Sequence, residues 1–146
     1  MIFEFVVRRL RWLAKVPFAP QIFDAMLLIW TALFERKKLT AMTAVEARIL
    51  QLPGVGLCVH RFGGTGFIRD GREFGHLHGN GLLDVHLTPE GARAIVAAGV
   101  ASAHHVLGPS AWISFRVRGG EDVAAAVALL TLGAETEGVV SDPIQA

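Results

Sequence analysis

The chain has 146 residues, fourteen basic against thirteen acidic side chains, and one cysteine. That length suits one domain with its own core and leaves little room for a second. The near-zero net charge gives no strong draw on nucleic acid. The lone Cys58 excludes an internal disulfide and a multi-cysteine zinc site, which suits a reducing, cytoplasmic setting.

Helical patterning covers Phe3 to Lys15, breaks at Pro17 and Pro20, and resumes from Gln21 to about Lys38. Between Val16 and Phe34 the only charge is Asp24, and Met26 to Phe34 is apolar on every side of a helix. That uninterrupted run is about half of the roughly 20 residues a spanning helix needs. A secretory signal fits poorly, because Glu35-Arg36-Lys37-Lys38 stands where a small-residue cleavage site would be. Two readings stay open for residues 1–40. One is a helix docked on the sheet. The other is an interfacial anchor with a basic collar, Arg8, Arg9, Arg11 and Lys15 before it and Arg36, Lys37 and Lys38 after it, attaching a cytoplasmic protein peripherally to a membrane.

Residues 41–146 form the expected folded domain. A short helix spans Ala41 to Leu50 and stops at Pro53-Gly54. The period then changes: Leu57 to Phe62 is a strand, Gly63-Gly64-Thr65-Gly66 a loop needing positive φ, and Phe67-Ile68-Arg69 a strand leading through Asp70-Gly71 into a hairpin. The glycine loop lacks the following lysine and helix of a phosphate loop.

The hairpin, Arg72 to Leu87, carries His76, His78, Asp84 and His86 at even positions and Gly75, Leu77, Leu83, Val85 and Leu87 at odd ones. Side chains two apart share a face of a strand. If Gly79-Asn80-Gly81 is a three-residue loop, His78 faces Leu82, His76 faces Asp84 and Phe74 faces His86. A two-residue Asn80-Gly81 turn would slip the register and mix the faces. The three-residue loop is favoured because it keeps both apolar sets together.

Thr88-Pro89 offers an N-cap and an N1 proline for a helix from Pro89 to Ala98, ended by Gly99. His104-His105 falls in a loop or short edge strand. Ala111 to Arg118 alternates as a strand with Trp112 and Phe115 on opposite faces, and an alanine-rich helix covers about Glu121 to Thr136; the tail from Gly138 reads as loose. Clustered strands with helices around them predict an α+β, two-layer domain: an antiparallel sheet of about four to five strands, flanking helices and a helical apolar N-terminal extension.

Several motifs then converge on a family. His60-Arg61-Phe62-Gly63-Gly64, Arg72-Glu73-Phe74-Gly75-His76-Leu77-His78-Gly79, His104-His105-Val106-Leu107 and Trp112-Ile113-Ser114-Phe115-Arg116 resemble the small bacterial proteins called the luciferase family, which are similar to the fungal luciferase that oxidises 3-hydroxyhispidin. Phe18-Ala19-Pro20-Gln21-Ile22-Phe23 also resembles a segment of the fungal enzyme, which has a membrane-anchoring N-terminus. A weaker likeness, from Trp112 into the last helix, is to the YjbR-type α+β fold. The resemblance implies a cofactor-independent oxygenase acting on an electron-rich pyrone. It does not imply light emission.

Enzymes without metal or flavin let oxygen react by deprotonating the substrate to an enolate that can donate an electron. A histidine oriented by a carboxylate suits that task. The expected base is His76 with Asp84 as its orienter, and His78 or His86 donates to the developing oxyanion. His86, His104, His105, Trp112 and Arg116 are the expected substrate-binding residues. The ligand is a small, apolar, enolisable molecule, with no bound cofactor.

The rival chemistry is a metal held by His76, His78 and Asp84 with His86 or His104. The rival class is a non-catalytic ligand-binding or membrane-associated module. His60 is expected to satisfy a buried backbone group, Cys58 to be inert, and Arg61 to be exposed.

Overall fold

The computed structural model describes residues 16–104 and 108–136. The helix expected over Phe3 to Lys15, His105 and the tail from Gly138 lie outside the described residues. In chain order the elements are α1 (Ala19–Phe34), α2 (Arg36–Ile49), β1 (Val55–Val59), β2 (Thr65–Arg69), β3 (Arg72–Leu77), β4 (Leu82–His86), α3 (Pro89–Ala97), β5 (Ser102–His104), β6 (Gly108–Arg116), a 3-10 turn (Gly120–Asp122) and α4 (Val123–Glu135). The strands form one open sheet in the order β1-β2-β3-β4-β6-β5, every neighbouring pair antiparallel. The α+β architecture is as expected. The sheet gains its sixth strand because Ser102–His104 pairs along the edge of β6.

Alternation builds the core on one face of that sheet. Leu77, Leu83, Val85, Ile113 and Val117 point to a single side, where α2 brings Ala41, Met42, Val45 and Ile49 and α4 brings Val123, Ala126, Leu129, Leu130 and Ala134. The helical residues recur every three or four positions, the spacing of one helix face. Each large apolar side chain buried there contributes about 1.5–3 kcal/mol. Thr88 starts α3 as foreseen, its hydroxyl accepting from the Gly91 amide at 3.0 Å.

The β3–β4 hairpin has the three-residue loop. His78 donates its amide to Leu82 O at 2.8 Å, Gly81 sits at φ +80°, and Asn80 Oδ1 accepts from the Leu82 amide at 3.0 Å. His76 therefore stands opposite Asp84, and Leu77 opposite Leu83. One expectation fails: Phe74 does not face His86. Phe67 pairs with Gly75 while Ile68 pairs with Glu73, so β3 carries one extra residue at Phe74. This bulge reverses the alternation locally. It sends the Phe74 ring into the core, fully buried and 6.4 Å from the Phe67 ring. It also turns Glu73 toward the histidine side.

A second difference lies at Glu35, where the helix expected to run from Gln21 to Lys38 ends early, and residues 36–40 join the helix expected from Ala41 to make α2. Glu35 leaves helical geometry at φ −130°, ψ 53°, its amide bonding Thr31 O at 2.8 Å and its carboxylate pairing with Lys38. The turn lets α2 join the core while α1 crosses the ends of β3 and the β1–β2 loop. There Gln21 Nε2 donates to Arg61 O at 2.5 Å, and Asp24 reaches the β3–β4 loop.

Helix α1 is inside-out. Its buried residues are Asp24 and Thr31, whereas Ile22, Met26, Ile29, Trp30, Leu33 and Phe34 are exposed. No described helix is long and apolar enough to cross a membrane.

Candidate functional site

On the sheet face opposite the core, even-numbered positions bring polar side chains together. Asp84 of β4 is fully buried at the centre. Its Oδ2 lies 3.3 Å from His76 Nε2, 3.6 Å from His78 Nε2 and 3.6 Å from His104 Nε2, so β3, the residue just beyond it and β5 all direct an imidazole at one oxygen. The Ser114 hydroxyl of β6 donates to Asp84 Oδ1. Pairing of Asp84 with Ser114 across β4 and β6 sets that contact.

The other ring nitrogens meet further carboxylates. His76 Nδ1 is 3.0 Å from Glu73 Oε1, which is also 2.7 Å from His60 Nδ1. His78 Nδ1 is 3.1 Å from Asp24 Oδ1, and the same oxygen accepts from the Gly79 amide at 3.0 Å. The His60 ring stacks on His76 with centroids 3.6 Å apart and planes 11° from parallel. Trp112 closes another side, its ring centroid 5.4 Å from His76, 5.1 Å from His86 and 6.2 Å from His104.

These contacts govern the charge of the cluster. Burial opposes ionisation of Asp84, but hydrogen bonds from His76 and His78 and the charges of His76 and His104 outweigh it, holding the carboxyl far below the usual range. Burial also opposes charge on Glu73, and bonds to His60 and His76 still bring it down to about 2. For His78, burial works against the cation, yet Asp24 and Asp84 push it up to about 9. His76 moves upward for the same reason, burial being overcome by Asp84 and Glu73. His60 moves downward, because there burial prevails over its bond to Glu73. Burial, then the nearby Glu73 carboxylate, push the Cys58 thiol up, in keeping with an inert thiol.

Of the residues singled out in the sequence, His76, His78, Asp84 and His104 meet at one point. Trp112 covers them, and His86 stands behind Trp112. Arg116 is exposed, opposite Leu82 at the far end of β6. His60, expected to bond backbone, instead joins the cluster through Glu73 and His76. Three participants escape sequence reasoning: Glu73 through the bulge, Asp24 through a contact spanning 54 residues, and Ser114 through strand pairing. The one signal for Asp24 was its isolation as a lone charge in an apolar helix. Two triads, His76/His78/Asp84 and His60/Glu73/His76, present ligand atoms close enough to share a metal ion.

Residues 71–133 match the family described as Luciferase domain. No curated protein and no solved structure matches the chain. The matched stretch runs from the start of β3 into α4 and supplies Glu73, His76, His78, Asp84, His104 and Ser114, while Asp24 and His60 come from preceding residues. The part of this chain that builds most of the cluster is thus similar to the Luciferase domain family.

Proposed function

We propose that this protein is an oxygen-dependent enzyme of the luciferase type, that its reaction centre is the cluster of His76, His78, Asp84 and His104, and that its substrate is a small, apolar, enolisable compound. The observation that carries this reading is the convergence of three imidazoles on one fully buried carboxylate oxygen. Mutually perturbed titratable groups concentrate at reaction centres. Such a cluster binds an enolate oxygen and stabilises its charge where water is scarce. The enol gives up its proton to an imidazole of the cluster, and the resulting enolate carbon transfers an electron to dioxygen. Recombination of the carbon radical with superoxide forms the carbon–oxygen bond of a peroxide anion, to which the imidazole returns the proton.

A hollow of mixed polar and apolar lining is close by. Phe62 meets His60 edge-on at 5.7 Å and lines this shallow hollow with Phe18, Pro20, Gln21 and Arg61.

Oxygen uptake with a panel of hydroxypyrones and related enols tests the proposal. His76→Ala is expected to lower kcat/KM by about 100-fold or more, measured at a temperature where circular dichroism shows the variant folded. Wild-type protein that consumes no oxygen with any enol, or a variant that keeps full turnover, would refute it.

A second reading concerns location, and the inside-out α1 favours it. Its outward Ile22, Met26, Ile29, Trp30, Leu33 and Phe34 sit next to the exposed Arg36 and Lys37. An apolar crest with adjoining cations suits an anionic lipid surface, each cation contributing about 1 kcal/mol. Wild-type protein is expected to sediment with phosphatidylserine-containing vesicles and much less with neutral ones, and Trp30→Ser together with Leu33→Ser should abolish the difference. Wild-type protein left in the supernatant with both vesicles would eliminate this reading.

A further inference from the structure

We propose that the cluster is a mononuclear metal site in which one divalent first-row transition-metal ion is held by Nε2 of His76 and His78 and by Oδ2 of Asp84, the triad whose ligand atoms lie close enough to share an ion. The inference deepens the function proposed above and rests on the same cluster being the reaction centre. Its first support is metric. Metal–nitrogen bonds of about 2.0–2.1 Å at tetrahedral angles place neighbouring ligand atoms about 3.3–3.4 Å apart. The distances from Asp84 Oδ2 to the His76 and His78 nitrogens are 3.3 and 3.6 Å. The outer contacts of the same rings, at 3.0 and 3.1 Å, are ordinary hydrogen bonds.

That contrast also chooses between the two triads. In the group of His60, Glu73 and His76, the Glu73 oxygen lies 2.7 and 3.0 Å from the two nitrogens, the spacing of bonds mediated by protons.

The second support is directional. An imidazole that donates Nδ1–H to a carboxylate carries its lone pair on Nε2. Glu73 and Asp24 take the Nδ1 side of His76 and His78, so both neutral rings aim that lone pair at an anionic oxygen. Lone pairs facing a carboxylate repel unless a cation stands between them. Protons serve in the metal-free protein, and a metal ion displaces them.

The third support is the surrounding shell. Histidine ligands to metals pass their other N–H to a carboxylate, and a ligating carboxylate is itself hydrogen-bonded. Here Asp24 backs His78, Glu73 backs His76, and Ser114 holds Asp84 Oδ1 so that Oδ2 faces the imidazoles. Two imidazoles and a carboxylate suit iron, cobalt or zinc rather than calcium or magnesium.

The experiment is a cobalt titration of full-length, chelator-stripped protein, followed by calorimetry and visible absorption. One equivalent of Co2+ is expected per chain, with d–d bands, no thiolate charge transfer, and a buffer-dependent heat that reports proton release. His76→Ala and His78→Ala should each weaken binding more than 10-fold, Asp24→Asn and Glu73→Gln by about 10–100-fold, and Cys58→Ser not at all. Circular dichroism checks that each variant is folded, and any variant that is not is replaced by the Gln substitution at the same position.

Absence of stoichiometric Co2+ and Zn2+ binding by wild-type protein would overturn the proposal. Binding unaltered in both histidine variants, or a thiolate charge-transfer band, would do the same. Enol-dependent oxygen uptake at an undiminished rate in stripped protein would remove the metal and leave the enzyme. One equivalent of bound metal, lost in the histidine variants but unaccompanied by oxygen uptake, would establish the metal site and remove the oxygenase.

Discussion

Asp84→Ala is expected to destabilise the metal-free protein by about 3–5 kcal/mol, the loss that follows when one partner of a buried ionic group is removed. The carboxylate is wholly inaccessible, accepts from Ser114 and faces three imidazoles. Truncation leaves the rings of His76 and His78 buried without the carboxylate they share and strands the Ser114 hydroxyl. It also opens a gap in a central strand of the sheet. Asp84→Asn keeps the shape and the bond to Ser114, so its loss should be smaller. Chemical denaturation of the three proteins at one pH separates charge from shape: the midpoint should fall in the order wild type, Asn, Ala. An Ala variant with the wild-type midpoint would mean that the cluster is more open to water than its burial indicates.

The second large effect is expected at Gly79. A Cβ there would lie 2.6 Å from Asp24 O, 2.6 Å from the Leu28 amide nitrogen and 2.8 Å from Leu28 Cβ. Two of these atoms are helix backbone and cannot rotate aside, so any side chain forces α1 away from the hairpin. Gly79→Val should therefore cost about 1–3 kcal/mol, the usual range for overpacking. It should also withdraw Asp24 from His78. Limited proteolysis is the sensitive measurement, because residues 19–34 should become the first site of cleavage while the sheet stays protected. A variant with wild-type protection and stability would show that α1 is not held against the hairpin.

The sequence made much of this arrangement legible. The register of β3 on β4 followed from two alternating apolar sets that only one loop length could align, and with it came His76 opposite Asp84. The approach of His104 could be suspected only from its place beside a strand. Other features had no local signature. Nothing in Arg72-Glu73-Phe74-Gly75 announces a bulge, because burial of the Phe74 ring under the sheet is a tertiary gain that overrides strict alternation. Glu73 therefore looked like a residue of the apolar face. The break at Glu35 is equally silent, since Glu, Arg and Lys are all good helix formers. Asp24 was visible as an anomaly, but its partner lay 54 residues away.

The inverted α1 has a consequence for how the centre is completed. Of its sixteen residues only Asp24 and Thr31 are withdrawn from solvent, so the helix has little greasy surface with which to grip the rest of the chain. Its hold on the sheet runs instead through polar bonds, Asp24 to His78 and the Gly79 amide and Gln21 to the Arg61 carbonyl. The same few bonds that keep the helix in place therefore also set the order of the imidazole cluster.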